Sequence, residues 1–217
     1  NALEPLHAQF DYLKNTVSVY NDYYQAFKDY KVTAEVYDLN SKKVWGKSQK
    51  IDIPEDGVVI DIFTIDFPQN ITQVHFIKLR LFDTKGKEVA NTFYWRSNDK
   101  YEGRKTLTGP TSSGFEDLSK LKQVQLKTRY QTYQEGDRHF IKAEIKNPSS
   151  TVAFFTQLQL LGQDKKPVRP SFYTDNFFSL LPGESKTVII ETAASDMPSE
   201  PTFVVKGWNI KPSSFKL

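Results

Sequence analysis

Apolar residues recur at every second position along most of this chain, and that spacing limits its fold more than any other feature. Val32, Ala34 and Val36 alternate with Lys31, Thr33 and Glu35; Ile77, Leu79 and Leu81 alternate with Lys78 and Arg80; Ile141, Ala143 and Ile145 alternate with Lys142, Glu144 and Lys146. Successive side chains of an extended strand point to opposite faces, so the pattern predicts sheets with one buried and one wet face. Further strands are predicted over residues 16–20, 43–53, 58–65, 88–96, 123–130, 153–161, 185–191 and 202–208. Helical spacing is confined to a turn over residues 115–121.

A short repeat marks where strands reverse. VYDLNSKKV (36–44), LFDTKGKEV (81–89) and LLGQDKKPV (160–168) each set a polar loop between two apolar ends at one spacing, and each predicts a tight antiparallel connection. The run YTDNFFSLLPGESKTVII (173–190) holds a different reversal, with Pro182 pre-setting one backbone angle and Gly183 supplying a positive one. Asp175 and Asn176 suit a turn just before it, because their side chains bond nearby backbone. Between Ser97 and Leu118 the alternation stops, and Gly103, Gly109, Pro110 and Gly114 punctuate a polar stretch. The chain therefore reads as all-β: two tandem immunoglobulin-like β-sandwiches over residues 1–97 and 119–217, joined by a linker at 98–118.

Composition excludes several classes of function. A net charge of +3, with lysines interspersed among acids, lacks the basic stripe of a nucleic-acid binder. No apolar run approaches the roughly 20 residues a spanning helix needs. Cysteine is absent, which removes disulfides, thiolate metal sites and cysteine nucleophiles together. The only methionine is Met197 and the first residues are Asn1 and Ala2, as expected of a processed product or a piece of a longer chain.

Chemistry is sparse. His7, His75 and His139 lie too far apart for a local metal motif, and the latter two sit within strand patterns. Neither a G-x-S-x-G elbow nor a glycine-rich phosphate loop occurs. Asp61 with Asp66, or Glu116 with Asp117, are the carboxylate pairs to weigh, yet acids on alternating strands and in linkers ordinarily form a solvated face. The sequon Asn70-Ile71-Thr72 permits N-glycosylation. Aromatic residues make up 14% of the chain, enough for a sugar-stacking surface or for a core with an interface to another domain, the latter being the commoner use. No catalytic residue, metal site or cofactor is expected within the chain.

Several segments carry a resemblance. Residues 172–184, FYTDNFFSLLPGE, resemble a signature of the last immunoglobulin-like domain of exo-β-D-glucosaminidases and β-mannosidases in glycoside hydrolase family 2. Asn147–Phe155 (NPSSTVAFF) is similar to the segment preceding that signature, Asn91–Trp95 (NTFYW) to the end of the preceding domain, Asp117–Leu121 (DLSKL) to the opening of the last, and Gly207-Trp208-Asn209 fits as well. The resemblance implies accessory domains packed around a (β/α)8 barrel that bears the acid/base and nucleophile glutamates. Such a barrel takes about 250 residues of alternating strand and helix, which this chain does not contain. It also implies a secreted or periplasmic enzyme, retaining, acting on β-glucosaminides or β-mannosides, of exo-β-D-glucosaminidase, β-mannosidase or mannosylglycoprotein endo-β-mannosidase type. Trp95, Tyr173, Asp175 and Asn176 are then the candidates for cleft-rim or interdomain contacts, with the catalytic barrel and carbohydrate as partners. The alternative is an autonomous carbohydrate-binding or adhesion module.

Overall fold

The computed structural model describes residues 4–98 and 114–217. The chain divides into two compact units, Asn1–Lys120 and Leu121–Leu217. Most of the segment read as a linker, including Gly103, Gly109 and Pro110, lies outside the described residues.

The first unit contains β1 (Leu6–Asp11), β2 (Thr16–Asn21), β3 (Phe27–Asp38), β4 (Lys43–Ile53), β5 (Gly57–Thr64), β6 (Val74–Phe82) and β7 (Glu88–Ser97). They form two antiparallel sheets, ordered β1-β2-β5 and β4-β3-β6-β7. The predicted alternation sets the register: Val32, Ala34 and Val36 stand opposite Leu81, Leu79 and Ile77. All six are fully buried, and they pack with Ala8, Phe10, Val17, Val19 and Phe63 of the smaller sheet into one core. Burial of aliphatic side chains at roughly 1.5–3 kcal/mol each is what holds a sandwich without disulfides.

The second unit contains β8 (Lys127–Glu135), β9 (Arg138–Lys146), β10 (Ala153–Leu161), β11 (Phe172–Tyr173), β12 (Phe178–Leu180), β13 (Ser185–Ala193), β14 (Thr202–Gly207) and β15 (Ile210–Lys216). Its sheets run β12-β10-β14-β15 and β11-β13-β9-β8, again antiparallel. Ile141, Ala143, Ile145, Val188 and Ile190 face Leu158, Leu160, Phe203 and Val205 across its core. The helical spacing at 115–121 becomes a short 3-10 turn, Glu116–Lys120.

The repeated loops share one geometry. The N–H of Asp38, Asp83 and Gly162 donates to the carbonyl four residues on, and the fourth residue's N–H donates back to the first, at 2.9–3.0 Å throughout. That residue is Ser41, Gly86 or Lys165, and each has a positive φ of 60–79°. The first two loops join paired strands as predicted. After the third, the chain returns only to an isolated bridge between Leu161 and Pro167.

Two expectations are corrected. The strand predicted over 123–130 lies at Lys127–Glu135, while Val124 makes only an isolated parallel bridge to Ile210. Nor does β6 have a wet face. Lys78 is buried, donating to Asn91 Oδ1 at 2.9 Å with its ammonium 5.9 Å from the centre of the Phe93 ring. Arg80 pairs with Glu35 and Glu88. Long cationic stems pack on neighbouring strands while their heads find partners, so alternation with Lys and Arg does not guarantee exposure.

Candidate functional site

The stretch from Phe172 to Ser185 holds three of the four residues singled out from sequence, and their polar atoms are spent on the fold. The Tyr173 hydroxyl accepts from the Leu160 N–H at 3.0 Å. Burial holds its pKa above the usual phenol value, with the Leu160 amide opposing. Asn176 takes the Leu158 N–H on Oδ1 at 2.8 Å and returns a bond from Nδ2 to the Leu158 carbonyl at 3.0 Å. Asp175 pairs with Lys186 and accepts the Asn176 N–H at 2.7 Å. Both members of that ion pair are mostly buried, with Asp175 side-chain exposure at 16%. The reversal that follows has the expected form: Gly183 at φ 83°, the Glu184 N–H donating to Leu181 O at 3.1 Å, and Glu184 Oε2 accepting from the Leu181 N–H at 2.9 Å.

Two further residues of the quoted segments serve the same purpose, and sequence reading gave neither a role. Asn147 is fully buried; its Nδ2 donates to Thr151 O and Leu180 O, and its Oδ1 accepts from the Ser149 N–H and hydroxyl. Asn209, also buried, donates to Lys122 O and Val152 O and accepts from the Phe154 N–H. An amide has a donor and an acceptor side, so one buried Asn can close backbone valences that no strand reaches. The available signal was an Asn at the mouth of a turn between apolar runs.

Trp95, the fourth candidate, belongs to the other unit. It lies in β7 opposite Phe76 and is 38% exposed.

In each of the two carboxylate pairs, one member has a partner of its own. Asp61 accepts from the Thr16 hydroxyl at 2.7 Å and from Lys14 at 3.0 Å, and the Thr16 bond is the larger cause holding its pKa below the usual range. Asp117 pairs with Lys120 at 2.6 Å within the 3-10 turn. Among the described residues no three His, Asp or Glu side chains gather as a metal site would require. His7 stacks on Tyr20 and is bonded by Gln9. His139 lies mid-sheet between Gln134 and Thr192.

His75 differs from the other two. It is 1% exposed, neither ring nitrogen has a hydrogen-bond partner, and Phe67 lies against its ring at 5.1 Å. Burial pushes its pKa down to about 4; the Thr72 backbone opposes this and the charge of Arg96 adds to it. Arg96 itself bonds Asn15 Oδ1, and its guanidinium lies 4.6 Å over the Phe67 ring. In the sequon, Asn70 is exposed, while the Thr72 hydroxyl accepts from the Leu39 N–H and donates to Val74 O.

Comparison with known proteins gives these units a place. Residues 14–101 match the family model of the mannosidase Ig/CBM-like domain, and residues 106–210 that of the exo-β-D-glucosaminidase Ig-fold domain. An exo-β-D-glucosaminidase of Streptomyces avermitilis is 28% identical across 96% of the chain, and one of Amycolatopsis orientalis is 26% identical across 96%. The chain spans only 24% and 21% of those two proteins. The crystal structure of the A. orientalis exo-chitosanase CsxA has the same fold, with TM-score 0.86 and 23% identity over 99% of this chain and 26% of that one. A β-D-mannosidase from Dictyoglomus thermophilum is similar at TM-score 0.62 and 15% identity, over 95% of this chain and 22% of its own. With consecutive family matches covering both units, the chain belongs to the immunoglobulin-like accessory domains of family 2 glycoside hydrolases, of mannosidase type in the first unit and exo-β-D-glucosaminidase type in the second.

Proposed function

We propose that these residues support a (β/α)8 catalytic barrel lying outside them, in a retaining, secreted or periplasmic enzyme that removes terminal β-linked glucosamine. The observation that carries this reading is the fate of the polar candidates. Tyr173, Asp175 and Asn176 lie in the segment most like the enzymes, yet each is committed to backbone or to an ion pair. That arrangement serves rigidity and leaves the chemistry to other residues. The names of the curated relatives favour glucosaminide over mannoside as the substrate of the whole enzyme. No helix among the described residues is long and apolar enough to cross a membrane.

Deletion of residues 1–217 from the complete enzyme tests the reading. A supporting role predicts that the remaining catalytic portion loses soluble expression, or unfolds at least several degrees lower, as expected when an interdomain interface is removed. A deletion that leaves unfolding temperature and kcat/KM unchanged contradicts it.

A further inference from the structure

The alternation that carries Ile77, Leu79 and Leu81 into the core of the first unit carries His75 to the same face of β6, and the residue opposite His75 in β7 is Arg96. The inner face of a sandwich sheet is ordinarily apolar, so two basic side chains in adjoining register there are an exception. His75 is 1% exposed with no hydrogen-bond partner at either ring nitrogen, and Arg96 is half-buried beside it. Burial lowers the pKa of the guanidinium from its ordinary value, with the nearby Tyr12 opposing.

A cation withdrawn from water is ordinarily met by a carboxylate. Arg96 is met by rings instead, with its guanidinium 4.6 Å from the centre of Phe67 and 5.8 Å from that of Phe10. Attraction to ring faces stabilises the charge but gives its N–H groups no acceptor. Nη1 donates to Asn15 Oδ1, and among the described residues no group accepts from Nε or Nη2. Acids of the adjoining elements are engaged elsewhere. Asp11 Oδ1 accepts from the N–H groups of Leu13 and Lys14, Asp38 Oδ1 accepts from the Lys42 N–H, and Asp61 holds Thr16 and Lys14.

We propose that Arg96 anchors a binding site for a small carboxylate carried on an apolar ring, received side-on by the Nε–Nη2 edge of the guanidinium. That edge presents two parallel N–H donors in one plane, which match the two oxygens of a carboxylate. A single cation suits a single negative charge. Lys14, in the same turn as Asn15, is already paired with Asp61 at 3.0 Å, so the second charge of a phosphate would go unmet. The surrounding side chains favour an apolar body. Tyr12, 48% exposed, lies edge-on to Phe10 and Tyr94 at 5.1 and 5.8 Å, and Leu13, 82% exposed, follows it in the turn. Sugar hydroxyls would find few free partners, because the Tyr94 hydroxyl accepts from the Phe10 N–H at 3.2 Å and Asn15 Oδ1 from Arg96. The site lies within the first unit and does not depend on the accessory role proposed above.

NMR titration of the 217-residue chain with sodium benzoate at constant ionic strength tests this. The chain has three histidines, and the Hε1 resonance of His75 is identified by its loss in His75→Leu. The His75 ring senses the charge of Arg96. Neutralising that charge should therefore shift the His75 resonance saturably below about 100 mM benzoate, as one charge-assisted contact implies, while His7 and His139 stay in place. Arg96→Gln loses both charge and fork and should weaken the response about tenfold or more, and Arg96→Lys, which keeps the charge, about threefold or more. The titration of the parent chain decides the matter even where a variant fails to fold: absence of a saturable His75 shift overturns the proposal. An undiminished response in folded Arg96→Gln overturns it as well. Inorganic phosphate acting as strongly as benzoate would reduce the effect to general anion binding and overturn the carboxylate site. A stronger response to glucuronate than to benzoate would overturn the apolar body in favour of an acidic sugar.

Discussion

The side-chain amide of Asn176 stands against the backbone of Leu158 where a neighbouring strand would otherwise be, taking its N–H at 2.8 Å and giving a bond to its carbonyl at 3.0 Å. Strand β12 pairs with β10 only at Ala153 and Thr156. Past that point Asn176 serves Leu158 and the Tyr173 hydroxyl serves the N–H of Leu160, two residues on. Two side chains thus extend a sheet edge that a three-residue β12 leaves uncovered.

Asn176→Ala should therefore cost about 2–3 kcal/mol in urea unfolding, because it strips both bonds from a buried backbone amide group. Tyr173→Phe should cost about 1 kcal/mol, since one bond is lost and the ring still packs on the core. A loss below about 0.5 kcal/mol for Asn176→Ala would show that water or a shifted strand replaces the amide.

The three related loops permit a comparison in which the same backbone position carries Ser41, Gly86 and Lys165, all at positive φ. Ser41→Gly and Lys165→Gly should each stabilise or be neutral, by up to about 1 kcal/mol, because relief of left-handed strain offsets the greater freedom of the unfolded chain. Gly86→Ala should destabilise by about 1 kcal/mol from backbone strain alone, since a Cβ there meets nothing within 4 Å. Thermal unfolding of the three variants checks the signs.

His75 should make the first unit sensitive to acid. Its pKa in the fold is about 4, below the ordinary 6.5, because burial disfavours the charged ring. Folding then favours the neutral imidazole, so this contribution is complete above about pH 6.5 and is lost as pH falls through about 4, a swing of about 3 kcal/mol. His75→Leu should flatten stability between these limits relative to the parent chain in urea titrations at stepped pH. Parallel profiles for the two proteins would contradict the burial of an unpartnered ring.

Much of the fold was legible because alternation and turn chemistry are local. Val32, Ala34 and Val36 declare their inward face, and the strand ends at Lys43, Ile53, Ala153 and Leu161 fell where the residues placed them. Other elements depend on contacts remote in sequence. Strand β8, KTRYQTYQE, is a polar edge with no apolar stripe, and β15 carries Pro212 and two serines, tolerable only at an edge. β12 is three residues long and forms because β10 is beside it. The candidate residues were legible as turn-formers but not by partner, since Leu158 lies 18 positions from Asn176 and Lys122 lies 87 from Asn209.

Whether the residues most like the enzymes perform chemistry can be measured directly. Purified chain incubated with p-nitrophenyl β-D-glucosaminide should release nitrophenol no faster than a heat-denatured control, because Tyr173, Asp175, Asn176 and Glu184 are held by structural bonds. Sustained release over many turnovers per chain would contradict the assignment of these units as accessory domains.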